Sequence, residues 1–491
     1  MWTQESLKEL VKNKLEDYLF VVVSNREPYI HSYSHRRITV QRPASGLTVA
    51  LDPVMKACGG TWVAHGSGTA DREVVDEQSK VGVPPEKPRY SLKRVWLSKG
   101  DETGYYYGFA NNGLWPLCHI VYTRPIFDEA DWNIYKTVNA LFADSIIEEI
   151  GDKKAFVFIQ DYHLALLPKM LKERNHNIIT AQFWHIPWPN PEAFRICPWK
   201  EEILAGLLSN DIMGFHIRYH CFNFMDTVDR TLESRIDKEQ MDITYGGKKT
   251  AVLPFPISVD YEQLNQDAPK DEVNTEIERL KNDFGIYNEI VGVGMDRIDY
   301  TKGIPDRLKA LDRFLEKYPQ YQGKVVFIQA GVESRLKVSP YQKLNEEIDF
   351  LVAAINWKYV TGKWKPIIYV KNLEEPTTLM ALRRMASFCI VSSLHDGMNL
   401  VAKEYVASRY NEDGVLILSP FTGAARELTD ALLVNPYATD HLADAIKTAI
   451  EMPEDEQKKR MRKMRDIVKE NNIYKWAADI VTELAKFEFG G

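Results

Sequence analysis

Cysteine is scarce. Five residues in 491, at Cys58, Cys118, Cys197, Cys221 and Cys389, are scattered and form no C-x-x-C pair. An odd, dispersed set argues against a disulfide framework and against a structural zinc site; it fits a reducing compartment, so a cytoplasmic location is expected. Apolar runs of about 18 residues, the length of a membrane-spanning helix, are also missing, so no membrane association is expected. Charges interrupt the opening stretch MWTQESLKELVKNKLEDYLF throughout, and it does not read as a signal peptide. There is no excess of basic residues: the net charge is −7, which makes nucleic acid an unexpected partner. Two nucleotide signatures are absent as well. No G-x-x-x-x-G-K-[ST] occurs, and Gly292-Val-Gly294 starts a G-x-G-x-x-G whose third glycine position is Arg297. An ordinary NTPase and a nicotinamide dehydrogenase are both disfavoured.

What is present is the composition of a globular protein, 45% hydrophobic and 27% charged, in a chain too long for one core. Leu7, Leu10, Val11, Leu15 and Tyr18 lie at helical spacing and predict an amphipathic helix before the first strand. Short β-branched runs then alternate with helical patterns. In the first half the strand candidates are 20–25, 61–66, 155–161, 178–185 and 211–216; in the second they are 290–295, 324–330, 366–371, 388–393 and 414–420. Helical stretches at 307–317, 375–386, 399–409 and 440–451 separate the later ones. Near-continuous apolar strands alternating with helices predict parallel sheets covered on both faces. The alternation restarts after a polar, helix-like stretch at 260–286. The expectation is two doubly wound α/β domains with a boundary near Ser258–Glu262, and a ligand in the cleft faced by the carboxyl ends of their strands.

The most informative stretch is IVGVGMDRIDYTKGIPDR, from Ile290 to Arg307. Arg297 and Lys302 follow an apolar strand, and Gly303 and Pro305 open a helix. Two fixed cations beside a helix N-terminus make an anion site suited to a diphosphate. In SSLHDGMNLVAKEYVASR, Asp396-Gly397 makes a turn before a helix from about Asn399. Backbone N–H groups at Gly397, Met398 and Asn399 can meet a second anionic or sugar oxygen. Glu404 lies one to two turns inside that helix, where a carboxylate can accept both hydroxyls of a ribose; it reads equally well as a solvated helix residue. In the first half, Gln160-Asp161-Tyr162-His163 and His185-Ile186-Pro187-Trp188-Pro189 end adjacent strand candidates and read as sugar-hydroxyl ligands. SNREP ends the first strand, and Gly46 in ASGL permits close approach to a phosphate. Tyr106 and Trp115 in YYYGFANNGLWP are sugar-stacking candidates, although such a stripe is more often core. Arg335 is a further strand-end cation, with a solvated surface position as its plain alternative.

These pieces, in this order, resemble trehalose-6-phosphate synthases, retaining glycosyltransferases of GT-B fold. The resemblance runs from VVVSNR at 21–26 to LLVNPY at 432–437 and is carried by RIDYTKGIPDR, HDGMNLVAKEYVA, QDYHLALLP and HIPWPNPE. The glucosylglycerol-phosphate synthases share most of these motifs. The resemblance implies a GT-B architecture of two Rossmann-like domains facing an interdomain cleft. An acceptor-binding domain would span 1–258 and a nucleotide-sugar-binding domain 259–471, and 472–491 would form a crossover helix returning to the first. It implies that Gly46, Arg297 and Lys302 hold the donor diphosphate, with backbone at Met398, Asn399 and Leu400 against the phosphates and Glu404 on the ribose. Asp396 and His185 would hold hydroxyls of the transferred glucose. Arg26, Tyr106, Trp115, Asp161 and Arg335 would address the phosphorylated acceptor, with His65 standing on the acceptor side where the family has tryptophan.

The implied reaction moves glucose from a nucleoside-diphosphate glucose, commonly UDP-glucose, to glucose 6-phosphate. The family's proposed route is a front-face transfer in which the donor phosphate oxygen takes the acceptor proton. No cofactor and no metal site are expected, the two cations serving where a metal could. Three motifs depart from the family. Ala64-His65-Gly66-Ser67 replaces G-W-S-G, His395 replaces the Arg before Asp-Gly, and Gln160 replaces the His before Asp-Tyr-His. Ser45-Gly46 keeps the second of a glycine pair. The tryptophan change leaves two alternatives open: another phosphorylated acceptor such as glycerol 3-phosphate, or a sugar-nucleotide-binding regulator without catalysis. The donor base and the oligomeric state, including a homo-oligomer, are also left open.

Overall fold

The computed structural model describes residues 1–15, 18–35, 37–43, 46–335, 338–373 and 375–487. The chain forms two compact units, one of Met1–Ile257 together with the chain from Ile473 onward, the other of Ser258–Asn472.

Among the described residues, the first unit is built on a ten-stranded sheet. Its order is Arg235–Asp237, Asp242–Tyr245, Lys248–Pro254, Ile212–Phe215, Ile178–Phe183, Ala155–Gln160, Leu19–Ser24, Thr61–His65, Tyr90–Val95, Lys80–Val83. The central pairs are parallel. The strands predicted from apolar runs form the middle of it, whereas Tyr90–Val95 and Lys248–Pro254, which flank them in parallel, were not predicted. Val21, Val22 and Val23 are fully buried, and every residue of Ala155–Gln160 is buried, as expected of strands covered on both faces. Both edges are antiparallel additions that the apolar pattern did not predict. A separate ribbon, Ile30–Ser34 with Arg37–Gln41, was also not predicted, because its outer strand is exposed at every position.

Among the described residues, the second unit carries a six-stranded parallel sheet in the order Ile367–Lys371, Val325–Val332, Ile290–Arg297, Phe388–Val391, Val415–Leu418, Leu432–Leu433. Helices cover it. In Ile304–Lys317 the apolar residues Ile304, Leu308, Leu311, Phe314 and Leu315 recur at helical spacing and are all buried in the core with Phe327, Phe388 and Ile446. The polar stretch 260–286 forms two helices, Tyr261–Asp267 and Asp271–Phe284, the latter ended by Gly285 in the left-handed conformation. At the other end of the chain, the first helix spans Gln4–Leu15, so Tyr18 lies beyond it.

Both sheets are doubly wound. In the first, the order reverses around Leu19–Ser24; in the second, around Ile290–Arg297. The carboxyl ends of strands beside such a reversal form a crevice where side chains from separate loops converge. No helix among the described residues is long and apolar enough to cross a membrane.

Candidate active site

In the second unit the crevice is made by the strand Ile290–Arg297 and its neighbour Phe388–Val391. Arg297 is the last residue of its strand, and Lys302 closes a tight turn at Tyr300–Lys302. Asp299 holds that turn by accepting from Thr301 N and Oγ1, at 3.0 and 2.9 Å. Lys302 Nζ then donates to Asp396 Oδ2 at 2.5 Å, joining residues 94 positions apart. Ser393 Oγ and Asn399 Nδ2 donate to the same oxygen, each at 3.2 Å. An ammonium has three protons, so Lys302 can keep Asp396 and still meet a second anion.

Asn399 caps the helix Leu400–Ser408 by accepting from Ala402 N at 3.0 Å, and it adopts a φ of 138°. Such a conformation is uncommon outside glycine and puts strain at the helix mouth. Gly423 packs against this turn so closely that a Cβ would lie 2.1 Å from the carbonyl oxygen of Gly397. Met398, Asn399 and Leu400 thus sit at the mouth of a helix whose first N–H groups lack intrahelical acceptors. Glu404, one turn on, pairs through Oε2 with Arg383 Nη2 at 2.5 Å. The two carboxylate oxygens are therefore not equivalent: Oε2 is shared with a guanidinium and Oε1 is the less committed acceptor. Arg335 is neither solvated nor exposed. It is buried, with Nη1 donating to Tyr341 Oη at 2.5 Å and to Asp299 Oδ2 at 3.2 Å, so it buttresses the Lys302 turn.

The first unit has its own crevice, at the ends of Leu19–Ser24, Thr61–His65 and Ala155–Gln160. A cavity of about 240 Å³ is lined by Arg26, Glu27, His65, Ser67, Glu102 and Tyr106, among others. Arg26 Nη2 donates to Tyr106 Oη at 3.3 Å, and the Tyr106 ring stacks on His163. Tyr106 belongs to a wide, π-type helix, Glu102–Leu114, a geometry often found at functional sites. Trp115, which follows that helix, is 5% exposed and packs on His119 and Tyr162, so it belongs to the aromatic core. Asp161, at φ 72°, accepts on Oδ1 from the backbone N of Tyr162 and of His185, which draws Asp161 and His185 together. Burial pushes His185 down to about 3, and nearby His163 acts in the same direction, so its imidazole is uncharged. His65 is lowered as well, chiefly by burial, against the opposing pull of Glu102 and Asp71. Gly46 opens the helix Gly46–Cys58; the adjoining Ala44 and Ser45 lie outside the described residues.

Residues 18–486 match the profile of glycosyltransferase family 20. An alpha,alpha-trehalose-phosphate synthase [UDP-forming] of Candida albicans is 36% identical over 472 residues, 95% of this chain and 97% of the relative. Among solved structures, an E. coli protein described as trehalose-6-phosphate bound with UDP-2-fluoro glucose superposes with a TM-score of 0.85 at 32% identity, over 96% of this chain and 99% of that one. The UDP-forming synthase of Burkholderia xenovorans, solved in complex with glucose-6-phosphate, gives 0.86 at 29%, over 95% and 99%.

This chain belongs to glycosyltransferase family 20. Its fold is the GT-B fold of those solved enzymes. The family-20 motifs mark the strand ends in both units, but their spacing does not say which groups hold which. Ser393 and Asn399 fix Asp396; Arg383 fixes Glu404; Gln160 faces His185. Beneath the first cavity, Glu27 accepts from Ser67 N and Oγ and from Arg94 Nε, while Arg94 also meets Asp71 at 2.8 Å. Asn399 was named for its backbone N–H, not for its side chain; only adjacency to a motif could have drawn attention to Glu27, Ser67 and Ser393, and for Arg94 and Arg383 the sequence carries no signal. Among the described residues no three His, Cys, Asp or Glu side chains gather as metal ligands.

Proposed function

We propose that this protein transfers a glucosyl group, with retention, from UDP-glucose to glucose 6-phosphate, releasing UDP and forming trehalose 6-phosphate. The observation that carries the reading is the Lys302–Asp396 clasp at the crevice of the second unit. It sets a cation and a hydroxyl acceptor side by side, at the mouth of the Leu400–Ser408 helix. The UDP-forming relatives support uridine as the base and glucose 6-phosphate as the acceptor.

The bond from the sugar C1 to the diphosphate oxygen breaks, and the bond from C1 to the acceptor's anomeric oxygen forms on the same face. The acceptor hydroxyl proton passes to the departing diphosphate. Negative charge therefore grows on the diphosphate as the bond lengthens. Lys302, Arg297 and the N–H groups at Met398–Leu400 stabilise that charge more in the transition state than in the bound substrate. Asp396 and His185 hold hydroxyls of the hexose, and Glu404 takes the ribose through the oxygen that Arg383 leaves less committed. Gly46 approaches the donor phosphates. Arg26, Tyr106, His65, Asp161, Trp115 and Arg335 form or support the acceptor side.

Release of nucleoside diphosphate, measured with UDP-, GDP- and ADP-glucose against glucose 6-phosphate and glycerol 3-phosphate, tests this. UDP release with glucose 6-phosphate is expected. Lys302→Met should lower kcat about 10²–10³-fold, the usual cost of one preorganised charge-stabilising donor. Release with glycerol 3-phosphate alone would reassign the acceptor, a reading favoured by His65 lining the cavity where the family has tryptophan. Donor binding without release to either acceptor would reject the transfer altogether.

A further inference from the structure

Gln160 is the last residue of the strand Ala155–Gln160 and is fully buried. His185 lies just past the end of the neighbouring parallel strand, Ile178–Phe183. Their side chains meet, with His185 Nε2 at 2.9 Å from Gln160 Oε1. The orientation of the amide is not arbitrary. Gln160 Nε2 faces the carbonyl oxygen of Phe158 at 3.4 Å. Turning the amide over would set two carbonyl oxygens, Gln160 Oε1 and Phe158 O, against each other with no donor between them. The atom presented to His185 is therefore an oxygen, which can only accept.

We infer that Gln160 is a positioning residue that fixes His185 as the Nε2–H tautomer and so leaves Nδ1 as a hydrogen-bond acceptor for a hydroxyl of the transferred hexose. The inference rests on the glucosyl-transfer reading for the identity of that hydroxyl, but not for the tautomer. A neutral imidazole carries one N–H, and giving it to Gln160 settles the other nitrogen. The main chain of His185 is held on both sides, and an aromatic ring packs on the imidazole. His185 N donates to Asp161 Oδ1 at 3.2 Å, its carbonyl accepts from His216 Nε2 at 3.0 Å, and the Phe183 ring packs edge-on at 4.6 Å. Where the family usually has histidine, a residue able to donate, accept or titrate, this chain has a side chain that does not titrate. The consequence is that the hydrogen bond orienting His185 in the hexose subsite comes from a side chain that does not itself titrate.

The test reads the tautomer directly. The full chain is labelled with 15N-histidine, and long-range ring correlations are recorded without substrate, with the His185 signals assigned by their loss in His185→Asn. The Nε2–H pattern is expected in the wild type. Gln160→Met keeps the volume and removes the acceptor; it should mix the tautomers and lower kcat about tenfold, the worth of one neutral hydrogen bond. Gln160→Glu, while its carboxyl is ionised, keeps an acceptor at the same place and should keep a proton on Nε2. A Nδ1–H pattern in the wild type would overturn the inference, and so would a Gln160→Met enzyme with unchanged tautomer or unchanged kcat. If Gln160→Met does not fold, the wild-type pattern decides. Should wild-type enzyme release no UDP while showing the Nε2–H pattern, the transfer reading fails and the tautomer assignment stands.

Discussion

At the scale of single residues, the densest electrostatics lie beneath the cavity of the first unit. Arg94 is fully buried and faces two carboxylates, Glu27 at 2.8 Å and Asp71 at 2.8 Å. It also donates to Tyr29 O at 3.0 Å and meets His31 Nδ1 at 2.8 Å. One guanidinium cannot neutralise two buried anions, so a proton is retained. Burial pushes Glu27 from 4.5 up to about 8, against the pull of Arg94. The sign follows from linkage. Between those two values the folded chain keeps a proton that the unfolded chain has lost, so this contribution to stability is present at the acid end and is lost as pH rises through about 8. Thermal unfolding of the wild type and of Glu27→Gln, from pH 5 to pH 9 at fixed ionic strength, should separate the two. The wild type should lose stability more steeply, by up to about 1.4 kcal/mol per pH unit, the limit for one proton. Parallel slopes would mean that Glu27 is ionised throughout.

At the scale of elements, the strand, turn and helix from Ile290 to Lys317 organise the second unit. Gly294 is there because Arg307 is: a Cβ would lie 2.1 Å from Arg307 Nη1, which pairs with Asp296 at 2.7 Å. The glycine that looked like half of a dinucleotide fingerprint makes room for a buried ion pair. Gly303, at φ 60°, starts the helix, and a Cβ on it would lie 2.3 Å from the backbone oxygen of Ser392. Ser392 Oγ donates to Gly303 O at 2.9 Å, and Leu394 N donates to Thr301 O at 2.7 Å, so the Lys302 turn and the loop bearing Asp396 are tied to each other. Gly303→Ala combines left-handed strain with overpacking against backbone. It should cost about 1–3 kcal/mol in urea unfolding. It should also depress UDP release at least tenfold, by separating Lys302 from Asp396; a variant that loses stability but keeps its activity would show that the two loops are not coupled.

The central strands were legible because burial on both faces demands continuous apolar runs. The edge strands Lys80–Val83, Arg235–Asp237 and Asp242–Tyr245, and their inner neighbours Tyr90–Val95 and Lys248–Pro254, were not, being short or partly polar. The motifs located candidate site positions at strand ends. Pairings such as Lys302 with Asp396, or Arg94 with Glu27 across 67 residues, depend on which strands become neighbours, and spacing along the chain does not carry that. Nothing in LKRVW shows along the chain that Arg94 meets carboxylates from two other segments, Glu27 and Asp71.

For the molecule as a whole, the order of the chain matters as much as its folds. The last helix, Ile473–Leu484, belongs to the first unit although 215 residues of the second, Ser258–Asn472, precede it. It packs on the opening helix Gln4–Leu15, on Gly46–Cys58 and on the strand Ile178–Phe183. Trp476 is its anchor. The indole is 2% exposed, its ring lies 5.3 Å from Phe183 and 5.7 Å from Phe158, and Nε1 donates to the carbonyl oxygen of Phe255 at 3.2 Å. Without it the face of the first sheet that carries Phe158 and Phe183 would lose much of its cover. Trp476→Ala should therefore destabilise the first unit by about 3–5 kcal/mol, as large-to-small changes of buried aromatics do. The second unit has a separate core and should be spared. Hydrogen exchange followed by peptide mass analysis distinguishes the two. Amides of Ala155–Gln160 and Ile178–Phe183 should lose protection, while those of Ile290–Arg297 and Val325–Val332 keep theirs. Equal loss in both units would mean that they unfold as one cooperative body and that the last helix stabilises the entire enzyme.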